Sequence, residues 1–159
     1  MKELYVIRHA KSGWDHPHLN DFDRQLEDRG LRDAPKVAKS LSLEWPAPEM
    51  LLVSPAVRTY QTSQFFRLEW GLPWERFFLC PEIYEANTST LLEIVNKAAS
   101  KASRIALVGH NFGVSDLVNH LCGSNIELKT ACAARIQTEG DQFLNGCATL
   151  AEYRSPKLL

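Results

Sequence analysis

No apolar run in this chain approaches the roughly 18 residues that a membrane-spanning helix needs, so no membrane span is expected. Nor is there a surplus of charge. Eighteen Lys and Arg stand against 19 Asp and Glu, a formal net charge of −1. That balance removes any bulk electrostatic reason to bind nucleic acid or a membrane surface, so an anion site must be local. Cysteine is sparse. Cys80, Cys122, Cys132 and Cys147 are scattered with no Cys-x-x-Cys pair, so they are expected to be reduced, mostly buried thiols. Met1-Lys2-Glu3 leads at once into a strand-like segment, without the apolar core of a secretion signal. These features together point to the cytoplasm. Repeats, low-complexity tracts and linkers are also missing, and 159 residues are expected to form one domain, 1–159.

What is there is an alternation of short apolar runs and helical patterns. Leu4 to Ile7 reads as a strand apolar on both faces, as parallel central strands are, and Met50 to Val53, the shorter Arg76 to Cys80 and Ile105 to Val108 read as three more. Between the first two, Leu31, Ala34, Ala38 and Leu41 keep a helical spacing. Pro35 interrupts it, so either the helix kinks there or its regular part starts at Asp33. Ser54-Pro55 predicts a helix start, with Ser54 as cap, running to about Trp70. Leu91, Val95, Ala98 and Ala102 mark a further helix, capped by Asn87, by Thr88 or through the Thr90–Glu93 box spacing. Val114, Leu117, Val118 and Leu121 mark the last, with Asn111 as its cap and Gly123 as its stop. Cys132 to Thr138 and Cys147 to Tyr153 look like two more strands. The fold expected is α/β with three layers, α/β/α, a mostly parallel central sheet flanked by helices.

Three of the strands end in chemistry. The first delivers Arg8-His9, the second Ser54-Pro55-Ala56-Val57-Arg58, and the fourth Gly109-His110-Asn111. Open α/β sheets bind ligands at the carboxyl ends of their strands. Two guanidiniums, two imidazoles and a helix N-terminus suit a phosphoryl group. A neutral imidazole can attack phosphorus and carry the group covalently. The second, with the arginines, can stabilise charge on the transferring oxygens. A loop carboxylic acid would supply the leaving group's proton. Each piece alone is bland: a dipeptide, a helix cap, a turn. Their joint occurrence after three apolar strands carries the reading.

Those segments, Val6-Ile7-Arg8-His9-Ala10-Lys11-Ser12, Arg24-Gln25-Leu26 with Arg29-Gly30, Val53-Ser54-Pro55 with Arg58-Thr59 and Gln61-Thr62, and Val108-Gly109-His110-Asn111, resemble the histidine phosphatase superfamily, with its phosphoglycerate-mutase-like fold. Within it the chain is most similar to the small SixA-type phosphohistidine phosphatases. The resemblance implies His9 as the phosphorylated nucleophile, Arg8 and Arg58 as phosphate ligands, and His110 completing the pocket. It implies no metal and no organic cofactor. It also implies an acid in the loop after the third strand, where Glu85 is the choice and Glu82 the alternative. Ala10 stands where the wider family has glycine.

The reading is a phosphatase acting on a phosphohistidine protein. The alternatives are a phosphomonoesterase for a small metabolite or nucleotide, and a non-catalytic phosphate-binding protein. Around this core, Ser12 and Lys11 are candidate extra donors to phosphate, and Arg24 is either a substrate ligand or a structural ion pair. Trp14 is either packing or part of a lid formed by the loop 10–25. His16 and His18 lie near Asp15, Asp21 and Asp23 but are taken as solvated or rim residues rather than metal ligands.

Overall fold

The computed structural model describes residues 1–14 and 16–159; Asp15, named above among the loop carboxylates, lies outside them. Six strands form one sheet: β1 (Lys2–Arg8), β2 (Met50–Val53), β3 (Phe77–Leu79), β4 (Arg104–Gly109), β5 (Ala133–Thr138) and β6 (Thr149–Arg154). Four helices connect them: α1 (Asp28–Glu44), α2 (Val57–Glu69), α3 (Thr88–Ala99) and α4 (Gly113–Cys122). The strand order is β3-β2-β4-β1-β5-β6. The first four of these run parallel, while β5 and β6 add an antiparallel flank. The expected mostly parallel α/β/α architecture is therefore the observed one.

The two-residue period of β1 divides the core. Leu4 and Val6 pack into one apolar cluster with side chains of α3 and α4. Tyr5 and Ile7 point to the opposite face, into a cluster with α1 and α2. All four are fully buried, so β1 forms part of both cores.

Local signals were overridden in several places. Helix α1 begins at Asp28 and passes through Pro35, so the alternative start at Asp33 is incorrect. Its buried stripe is Gly30, Ala34, Val37, Ala38 and Leu41, and Leu31 is 46% exposed, one helical position off that face. Ser54 does not cap α2. That helix starts at Val57 after Ala56, with no side-chain cap. Asn111 does not cap α4 either; its side chain donates to the Leu128 carbonyl and accepts from Ser115 Oγ. In α3 the cap is Asn87, which accepts from the Thr90 N–H, so the Thr90–Glu93 box is unused. The thiols are unpaired, but only Cys132 is buried; Cys80 and Cys122 are half-buried and Cys147 is exposed. No helix among the described residues is long and apolar enough to cross a membrane.

Two glycines allow close approaches that shape the functional edge. A side chain on Gly30 would put its Cβ 2.1 Å from the Lys11 carbonyl oxygen. Only glycine lets α1 press against the segment leaving β1. At Gly113 a Cβ would meet the Ala86 oxygen at 2.5 Å, so glycine is what brings the 81–87 loop against the start of α4.

Candidate active site

The parallel ladder aligns the three strand ends. Arg8 pairs with Gly109 across β1 and β4, and Val53 pairs with Val108 across β2 and β4. The backbone continues this register one step further: His9 N–H donates to the Gly109 carbonyl at 3.1 Å and Ser54 N–H to the Val108 carbonyl at 3.2 Å. Arg8, His9, Ser54 and His110 are thus delivered to one edge by the sheet itself. The next residues open a cavity of about 490 Å³ lined by Arg8, His9, Lys11, Ser12, Trp14, Asp21, Arg24, Arg58, Tyr84, Glu85, His110, Asn111 and Thr130.

The two imidazoles face each other with ring centroids 5.4 Å apart. His9 Nδ1 lies 2.7 Å from the Ala10 carbonyl oxygen. A carbonyl can only accept, so Nδ1 carries the proton and Nε2 holds the lone pair. Burial, reinforced by the proximity of His110 and by the charges of Arg58 and Arg8, pushes the His9 pKa down to about 3. Burial likewise pushes His110 down to about 3, with Arg58 the strongest charged neighbour. Both rings are therefore neutral at ordinary pH.

Ser54 is fully buried, and its hydroxyl lies 2.8 Å from His110 Nε2. This is where the side chain expected to cap α2 goes instead. The fully buried Ser54 hydroxyl has no other acceptor among the described residues, so its proton goes to Nε2 and the imidazole proton is placed on Nδ1. That Nδ1 is buried without a protein partner, as are Arg8 Nε and Arg58 Nε. Each such donor costs about 1–3 kcal/mol if left unsatisfied. Residues of this cavity therefore carry unmet hydrogen-bonding capacity of the sign an oxyanion satisfies.

The loop after β1 supplies a carboxylate that the sequence did not single out. Asp21 Oδ2 accepts from Arg58 at 3.0 Å and from the Tyr84 hydroxyl at 2.6 Å, and Oδ1 accepts from Arg24 at 3.2 Å. Arg58 also donates to the Asp21 carbonyl at 2.6 Å. Burial alone would raise the Asp21 pKa, but the bonds from Tyr84 and Arg58 outweigh it and hold it at about 2. Burial and the Asp21 carboxylate push Tyr84 up to about 12, so it stays a donor. Asp21 fixes the fork of Arg58, and Tyr84 sets its ring edge-on to His110, centroids 5.5 Å apart.

Arg24 makes the structural ion pair considered for it, with Asp21 at 3.1 Å, and its side chain also borders the cavity. It also donates to Ser12 Oγ at 2.7 Å and lies 3.7 Å over the Trp14 ring. Trp14 is 70% exposed, so it covers the Arg24 guanidinium rather than filling a core. The Ser12–Leu26 bridge closes the neck of the loop, and the Leu26 N–H donates to Gln61 Oε1 at 2.8 Å.

Of the two glutamates, Glu85 borders the cavity, at a backbone φ of +57° that side chains other than glycine rarely adopt. Glu82 lines a separate depression with Phe78 and Cys80. His16 and His18 are not in the cavity, and no cluster of three or more potential metal ligands exists among the described residues. The residues that sequence reasoning missed are Asp21 as an arginine anchor, Tyr84 and Thr130. For Asp21 the i,i+3 spacing to Arg24 was the one available signal.

The family profile described as histidine phosphatase superfamily (branch 1) matches residues 4–89, more than half the chain. The chain belongs to the histidine phosphatase superfamily. An uncharacterised chloroplastic protein of Arabidopsis thaliana is 34% identical to this histidine phosphatase over 151 residues, covering 89% of this chain and 69% of the relative. The fold is shared with the protein histidine phosphatase SixA solved with tungstate (TM-score 0.85, 21% identity, 98% of each chain). It is shared also with a phosphoserine phosphatase mutant of Entamoeba histolytica bound to phosphoserine (TM-score 0.71, 15% identity, 100% of each chain). Membership of this superfamily implies a phosphorylated substrate.

Proposed function

We propose that the protein is a SixA-type protein phosphohistidine phosphatase working through a covalent phosphohistidine on His9. The observation that carries the mechanism is the state of His9: Nδ1 is tied to a carbonyl, and the neutral ring leaves its Nε2 lone pair beside two arginines and a second histidine. In the first step Nε2 attacks phosphorus and the bond to the leaving group breaks. Arg8, Arg58 and the Nδ1–H of His110 stabilise the charge on the equatorial oxygens. Ser12, whose oxygen accepts from Arg24, adds its hydroxyl as a donor. The leaving group takes its proton from Glu85 when it needs one; Glu82, in another depression, has no part. In the second step water attacks phospho-His9, the N–P bond breaks, orthophosphate leaves and the ring is restored.

Support for the phosphohistidine substrate comes from the motif resemblance and from likeness to a SixA fold that accommodates tungstate, a phosphate-like oxyanion. We take residues 1–159 as one domain, because both core clusters pack on one sheet. We place it in the cytoplasm, where four unpaired thiols persist.

The test compares turnover of a phosphohistidine peptide with turnover of a panel of phosphorylated metabolites. It runs beside p-nitrophenyl phosphate hydrolysis by wild type and His9→Ala. The expected result is a higher kcat/KM on the peptide and loss of all activity in His9→Ala. Faster turnover on the panel replaces the substrate assignment with a small phosphomonoester. An inactive wild type makes the protein a phosphate binder.

A further inference from the structure

Beside the candidate active site lies a second cleft, also about 490 Å³, that shares Arg8, Lys11 and Thr130 with it. Its other charged walls are Arg29 and Arg32 of α1, Lys129 before β5 and Lys157 near the carboxyl end, with Asp33 the one carboxylate. Six of the chain's 18 cations therefore meet in one place, in a protein whose net charge is −1. They are only partly neutralised. Arg29 reaches the half-buried Asp33 at 3.6 Å, and Lys129 reaches Glu127 at 3.4 Å across an exposed pair of low value. Lys11, Arg32 and Lys157 make no ion pair among the described residues.

The placement on α1 runs against the helix's own electrostatics. Arg29 sits in the first turn and Arg32 directly after it, at the positive end of the dipole, while the last turn has no basic residue. Cations there cost stability that an anion in the cleft would return. The two arginines are three residues apart and so share one side of the helix. The same turn is locked to the segment leaving His9, because Gly30 packs on the Lys11 carbonyl. The basic cleft is thus rigidly indexed to the phosphoryl site.

We infer that this cleft is a specificity subsite for a second anionic group, carboxylate or phosphate, carried by the same substrate whose phosphoryl group enters the His9 pocket. The inference rests on the phosphatase reading above and adds to it what the rest of the substrate looks like. The subsite acts on binding, so its effect falls on KM and is screened by salt.

The test uses Arg32→Gln/Lys157→Gln, two exposed residues outside the phosphoryl pocket. Substrates are p-nitrophenyl phosphate, phosphohistidine peptides with Asp/Glu or with Asn/Gln flanks, and matched small mono- and bisphosphates. Wild type is expected to favour the acidic-flanked peptide, the bisphosphate or both by about tenfold in kcat/KM, through KM. The preference should shrink at high salt and vanish in the double variant, with p-nitrophenyl phosphate turnover unchanged. The arm showing the preference identifies the carrier. Equal turnover within both pairs, or a preference that survives in the variant, overturns the subsite. An enzyme inactive on every compound, p-nitrophenyl phosphate included, removes the phosphatase reading instead, and the subsite with it.

Discussion

Replacing Ser54 with alanine separates a helix cap from a residue that positions the second histidine. Ser54 is fully buried and its hydroxyl is 2.8 Å from His110 Nε2. Its loss strands that nitrogen inside a site where His110 Nδ1 already lacks a protein partner. A stranded buried nitrogen costs about 1–3 kcal/mol. At about 2–4 °C per kcal/mol for a chain this size, Tm should fall by roughly 2–12 °C. The catalytic effect is separate. Without Ser54, nothing holds the proton on Nδ1, and the ring populates the tautomer that offers the phosphoryl oxygens a lone pair instead of a donor. Loss of one preorganised donor costs about 10²–10³ in rate, and a mixed tautomer population softens this to about 10–100-fold in kcat/KM. Calorimetry and p-nitrophenyl phosphate kinetics on one preparation measure both. A Tm drop with kcat/KM within twofold of wild type would refute the positioning role and leave Ser54 a packing residue.

Other outcomes follow from the same geometry. Both imidazoles have pKa values pushed down to about 3 by burial, below their unfolded value near 6.5. The unfolded chain binds more protons in that window, so stability is full above about pH 6.5 and falls with acidification by up to about 1.4 kcal/mol per pH unit per ring. His110→Gln should flatten the plot of urea midpoint against pH, and a slope equal to wild type would contradict burial of a neutral ring. Asp21, held at about 2, adds stability that is lost only as pH falls from about 4 towards 2. With its side chain 42% exposed, that contribution is about 1 kcal/mol or less and should be absent in Asp21→Asn. Glu85→Gln should slow a poor-leaving-group phosphomonoester by about tenfold or more and leave phosphohistidine nearly unchanged; equal slowing by Glu82→Gln would overturn the choice between them. Gly30→Ala should destabilise by several kcal/mol, read by chemical denaturation, because its Cβ falls 2.1 Å from a backbone oxygen; a loss under about 1 kcal/mol would show that the contact gives way.

The strands and the strand-end residues were legible because β1, β2 and β4 are uninterrupted apolar runs whose ends carry unusual chemistry. Burial on both faces leaves such a run few alternatives, and parallel pairing then brings Arg8, His9 and His110 together. Arg58 follows, since only Ser54, Pro55, Ala56 and Val57 separate it from β2. Caps were less legible. Ser54 and Asn111 have the right side chains to cap α2 and α4, but the sheet edge offers each a better partner, His110 in one case and the Leu128 carbonyl in the other. Asp21 was hidden for a different reason. The loop 10–25 has no periodicity, and several of its residues are acidic. What selects Asp21 is the folding of the loop back onto Arg58 and Tyr84, contacts 37 and 63 residues away in sequence. Leu31 was misassigned by a single position, because Gly30, which defines the true face of α1, has no side chain to register as apolar.

The central claim is that His9 Nε2 becomes phosphorylated. The direct measurement is rapid acid-free quenching during turnover, followed by mapping of the bound phosphate. A phosphate that is labile in acid, stable in base, located on His9 and formed at a rate no slower than turnover is the predicted result. A phosphate on another residue, or a burst of product with no phosphoenzyme, would contradict it.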